Sequence, residues 1–123
     1  MKLQESGENY LETILMLKNE KGYVRSIDVA HALSFTKPSV SRAMSVLKKA
    51  GHIVFDEDGG IELTASGRQI AEQIYERHRL LTDYLKAIGV SDETAAADAC
   101  RIEHVISQET FERLKAHAAP HIN

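Results

Sequence analysis

The apolar residues at the start of the chain recur at helical spacing. Tyr10, Ile14 and Leu17 follow one another at intervals of four and three residues, so they share one face of a helix. Gly22 then interrupts the pattern. We therefore predict a first helix over residues 8–19.

Two short helices joined by a tight turn are predicted next. Ser26 is a good capping residue for a helix over residues 27–33. Pro38 suits the first turn of a helix over residues 38–50, because the N–H that proline lacks would be unpaired there. Gly51 follows where a left-handed residue often ends a helix. The positions expected to be buried are Ile27, Ala30 and Leu33 in the first of these helices and Val40, Met44 and Leu47 in the second.

The spacing then changes to the alternation of a β-hairpin. Two short β-branched and aromatic runs, residues 52–55 and 61–63, flank the turn sequence Asp56–Gly60. Two helices joined by a tight turn and followed by a hairpin form a winged helix-turn-helix. The acidic tip of this wing would repel phosphate, so we expect the wing to pack or to stand off a duplex rather than grip it.

Helical spacing returns after the hairpin. Apolar stripes predict three helices, each preceded by a hydroxyl residue that can cap it. The predicted helices cover residues 65–88, 92–106 and 108–117, after Thr64, Ser91 and Ser107. The predicted fold is mainly α with a small β-hairpin wing. It divides into an N-terminal winged helix-turn-helix domain, residues 1–64, and a helical domain, residues 65–123.

Length and composition exclude several classes of protein. A chain of 123 residues, 43% hydrophobic and 27% charged, is typical of one small globular domain or two lobes. Its longest apolar run is far below the roughly 20 residues that a membrane helix needs. The N-terminus lacks the apolar segment of a secretory signal, and the single cysteine cannot form an intrachain disulfide. We therefore expect a cytoplasmic protein without a membrane association.

The charge is unevenly distributed along the chain. Residues 1–50 carry 8 Lys and Arg against 5 Asp and Glu, whereas residues 51–123 carry 7 against 13. The segment Lys37–Lys49 holds four cations and no acid. A basic stretch on an acidic chain suggests one face for a polyanion, although a solvated helix face gives the same pattern.

The outward face of the helix predicted over residues 38–50 combines small hydroxyl groups with cations. Such side chains suit the base edges and phosphates of a major groove. We expect Arg42 to contact a base edge and the lysines to contact phosphates. Helix-turn-helix units also occur as protein-interaction modules, which is the alternative. The predicted DNA-binding residues are Lys37, Pro38, Ser39, Ser41, Arg42, Ser45, Lys48 and Lys49.

Metal donors are concentrated in one pentapeptide near the C-terminus. On a helix, Cys100, Glu103 and His104 lie at i, i+3 and i+4, so a thiolate, a carboxylate and an imidazole share one face. First-row divalent metals favour these donors. Taken singly, each residue has a simpler interpretation. Cys100 could be a small core residue, and Glu103 and His104 could be ordinary surface residues. A cysteine nucleophile is disfavoured, because the cysteine and histidine lie on one helix with no glycine-rich turn to form an oxyanion hole.

Two other predicted helices carry residues that could complete a metal site. His78 stands in the apolar stripe of the long helix, where a leucine would be expected. Asn9 and Glu12 form an i, i+3 pair on the first helix. A satisfied core histidine is the simpler interpretation of His78, but the combination with the pentapeptide favours a metal site.

The most distinctive motifs are LT-x-x-G at the start of the long helix, RHRLL around His78, and C-x-x-E-H. The longer segments are ENYLETILMLKNEKGYVRSIDVAHAL, KPSVSRAMSVLKKAGHI, LTASGRQIAEQIYERHRLL and DACRIEHVIS. Together these segments resemble the DtxR/MntR family of iron- and manganese-dependent repressors. The resemblance extends over about residues 5–117.

The resemblance implies a metal-activated repressor rather than an enzyme. It implies a winged-helix DNA-binding lobe and a helical dimerisation lobe with the metal site between them. Loading with Fe²⁺ or Mn²⁺ would allow a homodimer to bind a palindromic operator and repress metal-uptake genes. A winged-helix regulator that is not metal-responsive is the alternative. By position, the implied metal ligands are Asn9, Glu12, His78, Cys100, Glu103 and His104.

Some positions depart from the pattern that the resemblance implies. Asn9 and Cys100 stand where the manganese branch has an aspartate and a glutamate. Cysteine there matches the iron branch, which has a methionine at the position of Asn9. Thr82 and Ala96 stand where the iron branch has the carboxylate and histidine of an ancillary site. Because a thiolate is softer than a carboxylate, we expect Fe²⁺ to be preferred over Mn²⁺.

The helices after Gly89, with the end of the long helix, are expected to form the two-fold interface of the dimer. Alanines let two helices approach closely, and larger apolar residues supply contact area. The expected interface residues are Ala95, Ala96, Ala97, Ala99, Ile102, Val105, Ile106, Phe111 and Leu114.

Overall fold

The computed structural model describes residues 5–121, and the side chains of residues 6–120. Within this range the chain forms six α-helices and a two-stranded antiparallel sheet, which confirms the predicted fold class. The elements are α1 (Glu5–Lys21), α2 (Ser26–Leu33), α3 (Lys37–Lys49), β1 (Ile53–Phe55), β2 (Ile61–Leu63), α4 (Ala65–Ala87), α5 (Asp92–Ile102), α6 (Gln108–Ala118) and a 3-10 turn (Ala119–His121). The chain packs as two compact units that divide between Glu72 and Gln73, within α4.

The first unit contains α1, α2, α3, the hairpin and the start of α4. α2 packs against α3, and α1 packs against both. In α2 the buried residues are Val29 and Ala30, whereas Ile27 and Leu33 are only half-buried, contrary to the prediction. These two residues lie near the ends of an eight-residue helix, where neighbouring elements cover less of a side chain. The buried residues of α3 are Val40, Met44 and Leu47, as predicted.

The start of α2 differs from the prediction. Ser26 is the first helical residue rather than the cap, and Arg25 occupies the cap position. Oδ2 of Asp28 accepts the backbone N–H of Arg25 at 2.9 Å, and Oδ1 lies 2.8 Å from Nζ of Lys21. A carboxylate in the first turn accepts an otherwise unpaired N–H and is stabilised by the positive end of the helix dipole. Asp28 therefore takes the capping role that was predicted for Ser26.

The turn between α2 and α3 brings the two helices together. Ser34 adopts a left-handed conformation with a φ of 58°, at the end of α2. Oγ1 of Thr36 accepts the backbone N–H of Ser39 at 3.3 Å and so caps α3. α3 therefore begins at Lys37, one residue before the predicted start, with Pro38 still in the first turn.

The hairpin forms as predicted, with alternating burial along its strands. Ile53 pairs with Leu63 and Phe55 with Ile61. Ile53 and Ile61 are fully buried, whereas Val54 is exposed. Lys18 of α1 donates a hydrogen bond to the carbonyl oxygen of Ile61 at 3.2 Å, which ties the second strand to the first helix.

The junction between the hairpin and α4 explains the LT-x-x-G motif. The hydroxyl of Thr64 donates to the carbonyl oxygen of Gly51 at 2.7 Å and accepts the N–H of Gly67 at 3.2 Å. Thr64 thus caps α4, as predicted. Gly67 is buried, and a Cβ at this position would collide with the carbonyl oxygen of His52. The glycine lets the first turn of α4 lie directly on the backbone that enters the hairpin.

The second unit contains the rest of α4 together with α5 and α6. The hydroxyls of Ser91 and Ser107 cap the last two helices, as predicted, by accepting the N–H groups of Thr94 and Thr110. The buried apolar residues of this unit are Ile74, Leu81, Ala95, Ala99, Phe111 and Ala118. Within residues 5–121, no helix is long and apolar enough to cross a membrane.

α5 ends at Ile102, so the predicted extension to Ile106 is wrong. The N–H of Glu103 still bonds to the carbonyl oxygen of Ala99 at 3.0 Å, but the following residues form a turn. The side chain of Arg77 takes the carbonyl oxygens of Glu103 and Ile106, at 3.1 and 3.0 Å. Arg77 of α4 thus provides hydrogen bonds to the turn that stands in place of the predicted extension.

Three of the residues expected at the dimer interface are not available to a partner. Ala95, Ala99 and Phe111 are at most 1% exposed in the single chain, so they belong to its own core. Their small or flat side chains are used for packing between helices of the same chain. Val105 is 72% exposed, and Ile88 at the end of α4 is 63% exposed.

Candidate metal centre and nucleic-acid interface

The outward face of α3 carries the predicted DNA-binding residues. Seven of them are exposed, and Ser39 is half-buried. The opposite face is held in the core by its buried apolar residues, so the orientation of α3 follows from its sequence. The exposed members are Lys37, Pro38, Ser41, Arg42, Ser45, Lys48 and Lys49.

Two members of this face are engaged by neighbouring residues. Oγ of Ser39 accepts a hydrogen bond from Oγ1 of Thr36 at 2.9 Å, so this serine belongs to the cap of α3. Nζ of Lys48 lies 5.7 Å from the centre of the Phe55 ring on β1. This cation–π contact holds the lysine towards the wing. Arg42 is exposed in the first half of the helix, which is the part that usually enters a major groove.

The acidic tip of the wing is organised by Asp56. Oδ1 of this residue accepts hydrogen bonds from the N–H groups of Gly60 at 2.8 Å and Asp58 at 2.9 Å, and from the hydroxyl of Tyr23 at 3.2 Å. The Gly60 N–H is the largest cause that holds the pKa of the Asp56 carboxyl below its ordinary value. This carboxylate stabilises the turn, and Asp56, Glu57 and Asp58 are all exposed.

Three of the predicted metal ligands meet in the second unit. Glu103 is fully buried at the end of α5. Its Oε1 lies 2.8 Å from Nδ1 of His78, which is within hydrogen-bond distance. Its Oε2 lies 3.6 Å from Nε2 of His104, which is too long for a hydrogen bond. The side chain of His104 is only 2% exposed.

The unsatisfied oxygen of Glu103 is the observation that fits a metal ion. Among the described residues, Oε2 has no hydrogen-bond partner although it is buried. A buried carboxylate oxygen without a partner costs free energy, and bound cations are a usual way to satisfy one. Carboxylate and imidazole donors together suit a divalent first-row metal. The residues present in this unit therefore fit the predicted cofactor.

The other predicted ligands differ from one another in exposure. Cys100 is exposed, whereas Glu103, one turn later, is fully buried. Asn9 is half-buried on α1, and its backbone oxygen accepts the hydroxyl of Thr13 at 2.9 Å. Glu12, also on α1, is 5% exposed. The assignments of Cys100, Asn9 and Glu12 as ligands stay predictions.

Sequence reasoning assigned no role to Arg77 and noted Thr82 only as a departure from the iron branch. Arg77 is half-buried and binds the turn after α5. Oγ1 of Thr82 is buried without a hydrogen-bond partner among the described residues. A signal for Arg77 was available, because it lies three residues after Ile74 and so interrupts an apolar stripe with a cation that needs acceptors.

Comparison with known proteins identifies the family. Residues 2–61 match the family of iron-dependent repressor N-terminal DNA-binding domains. Residues 64–119 match the metal-binding and dimerisation domain of the same repressors. Both descriptions agree with the expected order of a DNA-binding part followed by a helical part.

Curated relatives cover most of the chain. It is 41% identical over 109 residues to the HTH-type transcriptional regulator MntR of Shouchella clausii (strain KSM-K16), which is 89% of this chain and 76% of that protein. It is 39% identical to MntR of Geobacillus kaustophilus (strain HTA426), over 89% of this chain and 77% of that protein.

Solved structures share the fold. The manganese regulator SloR superposes with a TM-score of 0.81 at 25% identity, over 97% of this chain and 55% of SloR. IdeR of T. acidophilum superposes with a TM-score of 0.79 at 27% identity, over 97% of this chain and 55% of IdeR. The chain thus spans about half the length of these two proteins. It belongs to the iron- and manganese-dependent repressor family, whose members are transcriptional regulators and not enzymes.

Proposed function

We propose that this chain represses transcription in the cytoplasm by binding a palindromic operator as a homodimer loaded with Fe²⁺ or Mn²⁺. The observation that carries the metal dependence is the buried, unpartnered Oε2 of Glu103 beside the nearly buried His104. Membership of a family of metal-dependent repressors supports the same assignment. The cytoplasmic location is supported by membership of a family of transcriptional regulators, which act on DNA.

The metal would be held by Glu103 and His104 together with His78. Glu103 offers a carboxylate oxygen, and His104 offers an imidazole that is shielded from water. The contact between Glu103 and Nδ1 of His78 orients that ring, as carboxylate partners commonly do for metal-binding histidines. The ion would supply positive charge for the buried carboxylate. The predicted ligands that join this set are Asn9, Glu12 and Cys100.

Cys100 is proposed to decide the preference between the two metals. A thiolate is a softer donor than a carboxylate, so a site that uses it favours Fe²⁺ over Mn²⁺. Replacing Cys100 with glutamate should shift the preference towards Mn²⁺. The comparison is a titration of each metal into wild type and Cys100→Glu under anaerobic conditions, and an unchanged ratio of affinities would remove Cys100 from the site.

The DNA would be bound by the exposed face of α3. Its small hydroxyl residues allow close approach to base edges, and its cations neutralise phosphates. Arg42 is the proposed base contact. Lys37, Lys48 and Lys49 are the proposed phosphate contacts, and a dimer would bring two such faces to two half-sites.

The decisive experiment measures operator binding with and without metal. A duplex with the promoter of the chain's own gene is titrated with wild type, His104→Ala and His117→Ala, in Mn²⁺, in Fe²⁺ and in chelator. His117 is a matched control, because it is an exposed histidine of α6. We expect His104→Ala to keep its fold and lose metal-stimulated binding, and His117→Ala to behave as wild type.

Two results would contradict the proposal. Full metal-stimulated binding by His104→Ala would end the assignment of the metal site. Equal binding by wild type in metal and in chelator would instead favour the alternative, a winged-helix regulator that is not metal-responsive.

A further inference from the structure

Arg77 joins three segments of the second unit through one side chain. Its Nη1 donates to the carbonyl oxygens of Glu103 at 3.1 Å and Ile106 at 3.0 Å. Its Nη2 donates to Oε1 of Gln108 at 2.9 Å. The guanidinium carbon lies 5.5 Å from the centre of the Phe111 ring. One half-buried arginine of α4 therefore contacts the end of α5, the turn after it and the start of α6.

These contacts fit a guanidinium better than any other side chain. The last carbonyl groups of a helix have no partner within the helix, and a cation is favourable beside them. Arginine presents several N–H donors in a rigid plane, so it can bond three separate acceptors in fixed directions. The ammonium of lysine carries the same charge but not this geometry. The charge and the geometry of Arg77 can therefore be tested separately.

The turn that Arg77 holds carries the candidate metal donors. Glu103 is attached to α4 at two points, through its carbonyl oxygen to Arg77 and through its carboxylate to His78. His104 follows directly in the same turn. The direction of both side chains depends on the backbone of this turn. Arg77 bonds two carbonyl oxygens of that backbone, so it can affect both side chains.

We propose that Arg77 is a positioning residue for the metal centre. It does not contact the ion. It fixes the turn over residues 103–106 so that the carboxylate of Glu103 and the imidazole of His104 keep the directions that a metal requires. This inference rests on the proposed function, because that function requires a bound metal and Arg77 is assigned a role in binding it.

The test compares Arg77→Lys and Arg77→Met with the matched variants Arg79→Lys and Arg79→Met. Arg79 is an exposed arginine of the same helix whose guanidinium lies over the Tyr75 ring. Three quantities are measured: the Kd for Mn²⁺, the absorption spectrum of bound Co²⁺, and the melting temperature without metal. The Co²⁺ spectrum reports the geometry of the ligands, which a purely structural role would leave unchanged.

We expect Arg77→Lys to weaken Mn²⁺ binding by about ten-fold, the lower end of the range for residues that orient metal ligands. We also expect it to alter the Co²⁺ spectrum while keeping a cooperative melting transition. Arg77→Met should weaken binding at least as much. Both Arg79 variants should match wild type in Kd and spectrum.

Several outcomes would overturn the inference. Wild-type Kd and spectrum in Arg77→Lys, even with a lower melting temperature, would show that Arg77 serves only the fold. Loss of folding in Arg77→Lys that saturating metal does not restore would show the same. Equal losses in the Arg79 variants would point to a general effect of charge on α4. Failure of wild type to bind metal would contradict the proposed function itself, which is a different result.

Discussion

Arg42 and Lys49 lie on the same face of α3 but have different expected partners. Arg42→Ala should cost roughly 1–3 kcal/mol of operator binding and relax specificity at one position in each half-site. Lys49→Ala should weaken binding to all duplexes alike. It should also reduce the slope of the logarithm of the binding constant against the logarithm of the salt concentration by about one, because one phosphate contact is lost. Fluorescence anisotropy with promoter and random duplexes over a range of salt measures both. An equal loss on the two duplexes for Arg42→Ala would contradict base recognition.

Asp56 makes the stability of the wing depend on pH. The N–H of Gly60 is the main reason that the pKa of this carboxyl is lowered in the folded chain. A lowered pKa means that the unfolded chain binds a proton more readily, so the stabilisation is complete above the ordinary aspartate pKa of about 3.9 and is lost as the pH falls through the folded value. We expect Asp56→Asn to remove this part of the acid sensitivity.

The measurement for Asp56 is urea unfolding of wild type and Asp56→Asn from neutral pH to below pH 3. The difference in unfolding free energy should be greatest at neutral pH and shrink on acidification. Asp58→Asn is the control, because the Asp58 side chain is exposed at the same tip. A difference that stays constant over the whole range would show that Asp56 acts only through its shape.

At the scale of elements, Gly67 sets how closely α4 approaches the hairpin. A Cβ at this position would meet the backbone of His52, which cannot move without disturbing β1. Gly67→Ala should therefore lower the unfolding free energy by about 1–3 kcal/mol, the usual cost of overpacking, although alanine favours a helix more than glycine does. Arg68→Ala, at an exposed neighbouring position, should change it by less than about 0.5 kcal/mol. Equal stability of Gly67→Ala and wild type in urea would contradict this packing.

Local signals were sufficient to predict most elements. The apolar stripe of α3, the alternation of the hairpin and the serine caps of α5 and α6 all depend on residues close in sequence, and each was confirmed. The end of α5 was not predictable in this way. The turn that replaces the predicted extension is bonded through the carbonyl oxygens of Glu103 and Ile106 to Arg77, which lies more than twenty residues earlier.

The candidate metal centre was predictable in its donor types but not in its burial. The i, i+3 and i+4 spacing assumes a continuous helix through His104. In the structure α5 ends at Ile102, Cys100 is exposed and Glu103 is buried. The contact between His78 and Glu103 joins residues distant in sequence. The unexpected histidine in an apolar stripe suggested that they share a site, and the resemblance to known repressors placed them in one set.

At the scale of the whole molecule, the proposed role of Glu103 as a metal ligand would link folding to metal. An unsatisfied buried polar group costs about 1–3 kcal/mol. Glu103→Met removes that group at similar length, and His78, with its side chain 27% exposed, can turn to water. Without metal, we expect the free energy of unfolding of this variant to be about 1 kcal/mol higher than that of wild type. We also expect it to lose the roughly 2.7 kcal/mol that wild type should gain at a hundred-fold excess of metal over Kd.

Urea unfolding with and without Mn²⁺ measures both effects of Glu103→Met. Glu72→Met is the control, because the side chain of Glu72 is 59% exposed and its ion pair with Arg68 is weak. A variant that is less stable than wild type in the absence of metal would show that the carboxylate is satisfied in the metal-free chain.

With Glu103 as a metal ligand, as proposed, the abundance of the chain would also depend on metal. Proteases in a cell cleave the transiently opened form, and the population of that form falls as a ligand stabilises the closed one. Chains made during metal scarcity would open more often and be degraded sooner, whereas loaded chains would accumulate. Repression would then rise with metal through two reinforcing routes, the occupancy of each molecule and the number of molecules that survive.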